Sequence, residues 1–175
     1  MLKLTNELLG QKSEPFDFTN PPMDPQKLYD DLCEVLMNKK ALGLSAIQVG
    51  IPYRVFIFGN YTDKNEIYCA FNPKIVDYGE EVWYTEEGCL SFPGMWCKIK
   101  RHKVIRARFS DWKGDTDTFQ FGDVTAHVFQ HEYDHLDGIT FQQRATRFHW
   151  DQAKNKKKRL NKLRKRNERA NQTFI

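Results

Sequence analysis

The stretch QHEYDH, Gln130 to His135, holds two histidines four residues apart with a glutamate directly after the first. Four residues is close to one helical turn, so on a helix His131 and His135 aim their imidazoles the same way and can hold one cation. Glu132 then reaches a water on that cation, which is the arrangement of metal-assisted hydrolysis. A bare His-Glu-x-x-His also arises by chance on helices, so the neighbours must decide. A hydrolytic metal centre takes three protein ligands and leaves a position open. The protease spacing HExxHxxGxxH fails here, because Gly138 fits but Phe141 stands at the last ligand position. A downstream acid fares no better: Glu168, the one glutamate after Glu132, lies in a basic run.

Upstream stands EEGCLSFPG, Glu86 to Gly94, with Cys89 in a tight segment after a strand. Its thiolate is a candidate third ligand, although a cysteine taken on its own is more often a small buried hydrophobe. A second upstream stretch, ALGLSAIQVG from Ala41 to Gly50, puts Gln48 among apolar residues beside a glycine-containing backbone. Alone it reads as an ordinary connection between a helix and a strand.

These residues need a frame. The 175-residue chain is 40% hydrophobic and 29% charged, the balance of one soluble domain large enough for its own core. Its longest apolar runs, such as Val55 to Phe58, are far too short to span a bilayer, so no membrane partner is expected. The first residues lack a sustained apolar segment and carry early acids, which leaves a cytoplasmic, bacterial-type location as the expectation. Cys33, Cys69, Cys89 and Cys97 show no paired spacing and read as reduced thiols.

Pro25 after Asp24, followed by Leu28, Leu32, Val35 and Leu36, predicts a helix up to about Ala41. Strands are predicted over 54–60, 66–79, 102–111 and 117–123, the last two joined by a turn at Lys113 to Asp115. The period turns helical from Val124 to Leu136, and Gly138 ends the run. Strands first and the key helix late predict an α+β fold, with antiparallel or mixed sheets packed around a central helix carrying HExxH.

Together ALGLSAIQ, EGCLS and HEYDHLDG resemble, in order, the three motifs of the peptide deformylase family, GxGLAAxQ, EGCLS and HExDHLxG. The first departs at Ala41 and Ser45, both small, and keeps Gly43; the other two match in full. The resemblance implies that Cys89, His131 and His135 hold one divalent metal per chain, iron(II) in the cell, with zinc, nickel or cobalt as substitutes. It implies a metal-bound hydroxide nucleophile, with Glu132 as general base and then acid. The oxyanion is expected at Gln48 and the Leu90 backbone N–H. Leu42, Val124, His127 and Val128 are expected to line a methionine pocket, with Gly43 pairing to the peptide backbone. The substrates implied are nascent peptides beginning with formyl-methionine. His127 lies one turn before His131 and is read as a polar element of the pocket wall or a hydrogen-bonded helix histidine, and not as a ligand. Glu87 and Arg101 are read as an ion pair bracing the cysteine segment, and Cys97 as packing.

The charge is unevenly spread. Residues 151–175 carry ten Lys or Arg against two acids, while residues 1–150 carry 17 against 21. We therefore divide the chain into a catalytic domain, 1–150, and a basic C-terminal helical tail, 151–175. Such a tail is either a solvated helix or a contact for phosphate, here the ribosome and its RNA. Two other functions compete with the deformylase expectation. One is an endoprotease, which lacks its downstream ligand. The other is an RNA- or ribosome-binding protein without chemistry, which has no use for Glu132.

Overall fold

The computed structural model describes residues 2–172. Its first helix, α1 (Pro25–Lys39), starts where Asp24 accepts a hydrogen bond from the Lys27 N–H at 3.0 Å and Pro25 takes the first helical position. Lys40, in the left-handed region, closes it. There follow β1 (Gly43–Ser45), a 3-10 turn (Ala46–Val49), β2 (Val55–Gly59), β3 (Ile67–Tyr78), β4 (Val82–Gly88) and β5 (Trp96–His102). The rest are β6 (Val104–Ser110), β7 (Thr116–Gly122), α2 (Asp123–Leu136), α3 (Phe141–Arg144) and α4 (Arg147–Gln172).

Strands β1-β2-β3-β6-β7 form one sheet and β4-β5 a second, and every pairing is antiparallel. The apolar run of β2 explains the layering. Successive strand residues face opposite ways, so Val55 and Ile57 pack toward α1 while Phe56 and Phe58 pack toward α2. There both rings meet Phe129, at centroid separations of 4.8 and 5.4 Å. Ala126, Phe129, Tyr133 and Leu136 recur at helical spacing on the sheet side of α2. The other side of the helix, with His131 and Asp134, is left to face β4 and β5. Gln130 fastens α2 to the end of β5: its side chain accepts from the His102 N–H at 3.1 Å and donates to the His102 carbonyl at 2.8 Å.

The α+β class holds, with two sequence expectations revised. The stretch 41–50 is not mere connection: it supplies a sheet-edge strand and a helical turn. Strands β4 and β5 both add to the predicted set, and the pattern of β5 conceals that strand, because the inward position Arg101 breaks the apolar alternation that Cys97 and Ile99 begin. A third apolar cluster joins β5 to α3 and the first turns of α4 through Cys97, Ile99, Phe141 and Ala153. Among the described residues no helix is long and apolar enough to cross a membrane.

Candidate metal centre

Three ligand-bearing side chains converge where α2 passes the end of β4. The donor atoms of Cys89, His131 and His135 all lie within 4.8 Å of one another, and all three residues are buried. Cys89 Sγ stands 3.3 Å from His135 Nε2. A tetrahedral ion with nitrogen and sulfur ligands spaces its donors about 3.5 Å apart, close to the Cys89–His135 separation, so the trio is of the right kind and nearly the right spacing for such an ion. His127, one turn earlier, turns away from the trio to Thr85 and, through Nε2 at 3.0 Å, to Glu87.

The surroundings fix the ring orientations. His131 Nδ1 donates to Glu87 Oε2 at 2.6 Å, which leaves Nε2 as the donor toward the trio. Glu87 also receives Arg101 Nε at 2.7 Å and Nη2 at 3.1 Å. Arg101 spans from there to Asp134 at 2.5 Å, and Arg144 closes on the same carboxylate at 2.6 and 3.0 Å. Glu87 is only 3% exposed and Arg101 5%, so the pair is a buried brace rather than a surface contact. Asp134 stands in the HEYDHLDG motif, which by itself assigns it no role; the fold shows it facing two guanidinium groups.

The charges follow from this packing. Burial alone pushes the Glu87 carboxyl up, but hydrogen bonds from His127, His131 and Arg101 outweigh it and hold the group well below the usual carboxylate range. For His131 burial opposes the charged form, yet Cys89 and Glu87 push it up to about 10 in the metal-free protein. His135 goes the other way, held well below the ordinary histidine value first by burial and then by the neighbouring His131 charge. Its imidazole is neutral, with a lone pair to offer. A cation held here would take the place of the His131 proton, the usual exchange at a metal site. Burial also raises Glu132, opposed by His131 and by a hydrogen bond from Ser45. A carboxyl moved toward neutrality is suited to passing protons.

Gln48 is set by the 3-10 turn. Its Oε1 accepts from the Ser45 N–H at 2.9 Å, so its Nε2 points to Ser91 Oγ at 3.1 Å and Cys89 Sγ at 3.5 Å. The Leu90 N–H has no acceptor among the described residues. These groups open onto a cavity of about 740 Å³ whose lining includes Leu42, Gly43, Gln48, Leu90, Val124, His127, Val128 and Glu132. Leu42 and Val124 are exposed there, apolar surface without a partner. Alongside runs the free edge of β1. The Leu42 carbonyl accepts from the Gly59 N–H in β2, so alternation turns the backbone polar groups of Gly43 outward. The cavity thus joins a cation site, a carboxylate, an amide donor and an open strand edge, the equipment for hydrolysing an amide in an extended chain.

A family model described as polypeptide deformylase matches residues 1–150. A peptide deformylase of Bartonella tribocorum is 33% identical over 145 residues, covering 81% of this chain and 80% of that protein. The crystal structure of a Plasmodium falciparum peptide deformylase superposes with a TM-score of 0.81 at 26% identity, covering 94% of this chain and 96% of the other. A probable peptide deformylase from Synechococcus phage S-SSM7 gives a TM-score of 0.74 at 34% identity, with 82% and 99% covered.

Proposed function

The chain belongs to the peptide deformylase family, metal-dependent hydrolases that remove the N-formyl group from new polypeptides, and we propose how its own residues divide that work. The observation that carries the assignment is the meeting of the Cys89, His131 and His135 donors beside a cavity that Gln48, Cys89, His131 and Glu132 line. Cys89, His131 and His135 would hold one divalent ion, which when bound supplies Lewis acidity to the formyl carbonyl and lowers the pKa of a water. One thiolate and two imidazoles suit iron(II), zinc, nickel and cobalt alike; we assign iron(II) in the cell.

Glu132 takes a proton from the attacking water and returns it to the departing amine nitrogen. The carbonyl oxygen, as it gains charge, meets the Gln48 Nε2–H and the Leu90 N–H. The C–N bond breaks, leaving formate and a free N-terminal amine. Leu42, Val124, His127 and Val128 receive the methionine side chain, and Gly43 pairs with the peptide backbone as an added strand. In this reading residues 1–150 form the catalytic domain around α2. Residues 151–175 form a basic tail that meets ribosomal RNA, and the enzyme works in a bacterial-type cytoplasm on nascent formyl-methionine chains.

The test is formate release from a formyl-methionine tripeptide by protein loaded anaerobically with iron(II) or nickel(II). The expected result is release by the wild type, none from the unformylated peptide, and a fall of about 10²- to 10⁴-fold for Glu132→Ala with metal content retained. Near-full turnover by metallated Glu132→Ala would remove Glu132 from the mechanism.

A further inference from the structure

The two carboxylate oxygens of Glu132 have different surroundings. Ser45, fully buried at the end of β1, donates its hydroxyl to Glu132 Oε2 at 2.6 Å and stands 3.1 Å from the carbonyl of the same residue. The other oxygen faces the free edge of the strand: a Cβ placed on Gly43 would meet Glu132 Oε1 at 2.6 Å. Ser45 also donates its backbone N–H to Gln48 Oε1, at 2.9 Å. One residue therefore touches the proton carrier through its side chain and the oxyanion donor through its main chain.

We propose that Ser45 is a positioning residue for deformylation, tethering Oε2 so that Oε1 is the oxygen that shuttles the proton. The proposal rests on the reading of Glu132 given above. A glutamate has three side-chain torsions, and proton transfer requires its oxygen within hydrogen-bond reach of both the water and the amine. A tether on one oxygen removes most of that freedom before the substrate arrives. The sequence pattern hides this, since at that position serine is read only as a small residue. An alanine there keeps the backbone bond to Gln48 and gives up the side-chain bond to Glu132, which separates the two interactions.

The experiment compares Ser45→Ala with the wild type, both metal-loaded, on a formyl-methionine tripeptide. We expect kcat about ten-fold lower, the worth of one hydrogen bond to a charged group, with KM within about two-fold and metal content unchanged. The second arm repeats the change in Glu132→Asp, whose carboxylate is one methylene too short for the hydroxyl; there Ser45→Ala should cost less than about two-fold. Ser45→Ala with wild-type kcat overturns the proposal. So does an equal loss in the Glu132→Asp background, because that loss reports packing rather than the tether. Wild-type turnover by metallated Glu132→Ala would instead overturn the reading of Glu132 itself, a result that neither Ser45→Ala arm can produce.

Discussion

Glu87 and Lys162 carry one charge each, yet they belong to opposite regimes. Glu87 lies beneath the cavity with His127, His131 and Arg101 all within 3.1 Å of its two oxygens. Lys162 stands in water on α4, along with Lys158, Lys165 and Arg166. Around α2 and β4-β5 each buried charge is answered by another, so the cost of desolvation is recovered only while all partners remain. Along α4 the charges are solvated, and pairs such as Arg164–Glu168, 3.2 Å apart on an exposed face, contribute little. A buried network makes every member matter. An exposed array makes only the total matter.

Arg101→Met tests the first half of that contrast most severely. The side chain has similar volume, but Glu87 and Asp134 lose the charge that holds them, at a cost of about 3–5 kcal/mol measured by urea unfolding. Arg164→Met on α4, as the paired control, should stay within about 0.5 kcal/mol. Similar losses for the two would erase the distinction between the regions. Gly43→Ala comes next. Its Cβ would lie 2.6 Å from Glu132 Oε1 and 2.8 Å from Val128 Cγ1, so the carboxylate must move. Turnover should fall about 10²-fold, the cost of misplacing a catalytic group by about an ångström. Unfolding by urea should change far less than for Arg101→Met. A Gly43→Ala enzyme with normal kcat would mean that Glu132 tolerates displacement.

The same contrast explains what can be read from the sequence. Helix α2 is legible because its apolar side repeats at 3.6 residues and its histidines repeat at four, two local patterns that agree. Helix α1 is legible from Asp24 and Pro25 at its start. Strand β5 is not, since its inward Arg101 is justified only by Glu87, 14 residues away, and by Asp134, 33 away. The closeness of Cys89 to the histidines depends on the β4-β5 hairpin bringing it 46 residues along the chain to His135, and no local period carries that information. The resemblance supplied it instead. Ser45 shows the opposite failure: a motif comparison records its size, while its hydroxyl finds a partner 87 residues away.

The basic helix is the region where a change should affect catalysis least. Its first turns are not free, because Ala153 is buried against β5 and Lys157 Nζ donates to the Pro93 carbonyl at 2.8 Å. A truncation through them would disturb the catalytic body as well as remove charge. Replacing Lys158, Lys162, Lys165 and Arg166 together by Gln keeps the packed turns and removes four exposed positive charges. Turnover on a formyl-methionine tripeptide should remain within about two-fold, since none of the four approaches the cavity. Affinity for ribosomes should fall, and the slope of log affinity against log salt should become shallower by about 0.7–0.9 for each phosphate no longer neutralised. Unchanged ribosome affinity with an unchanged slope would mean that these charges serve only to keep the helix solvated. A shallower slope with normal tripeptide turnover would place the cations in docking, separate from the buried site in role as well as in physics.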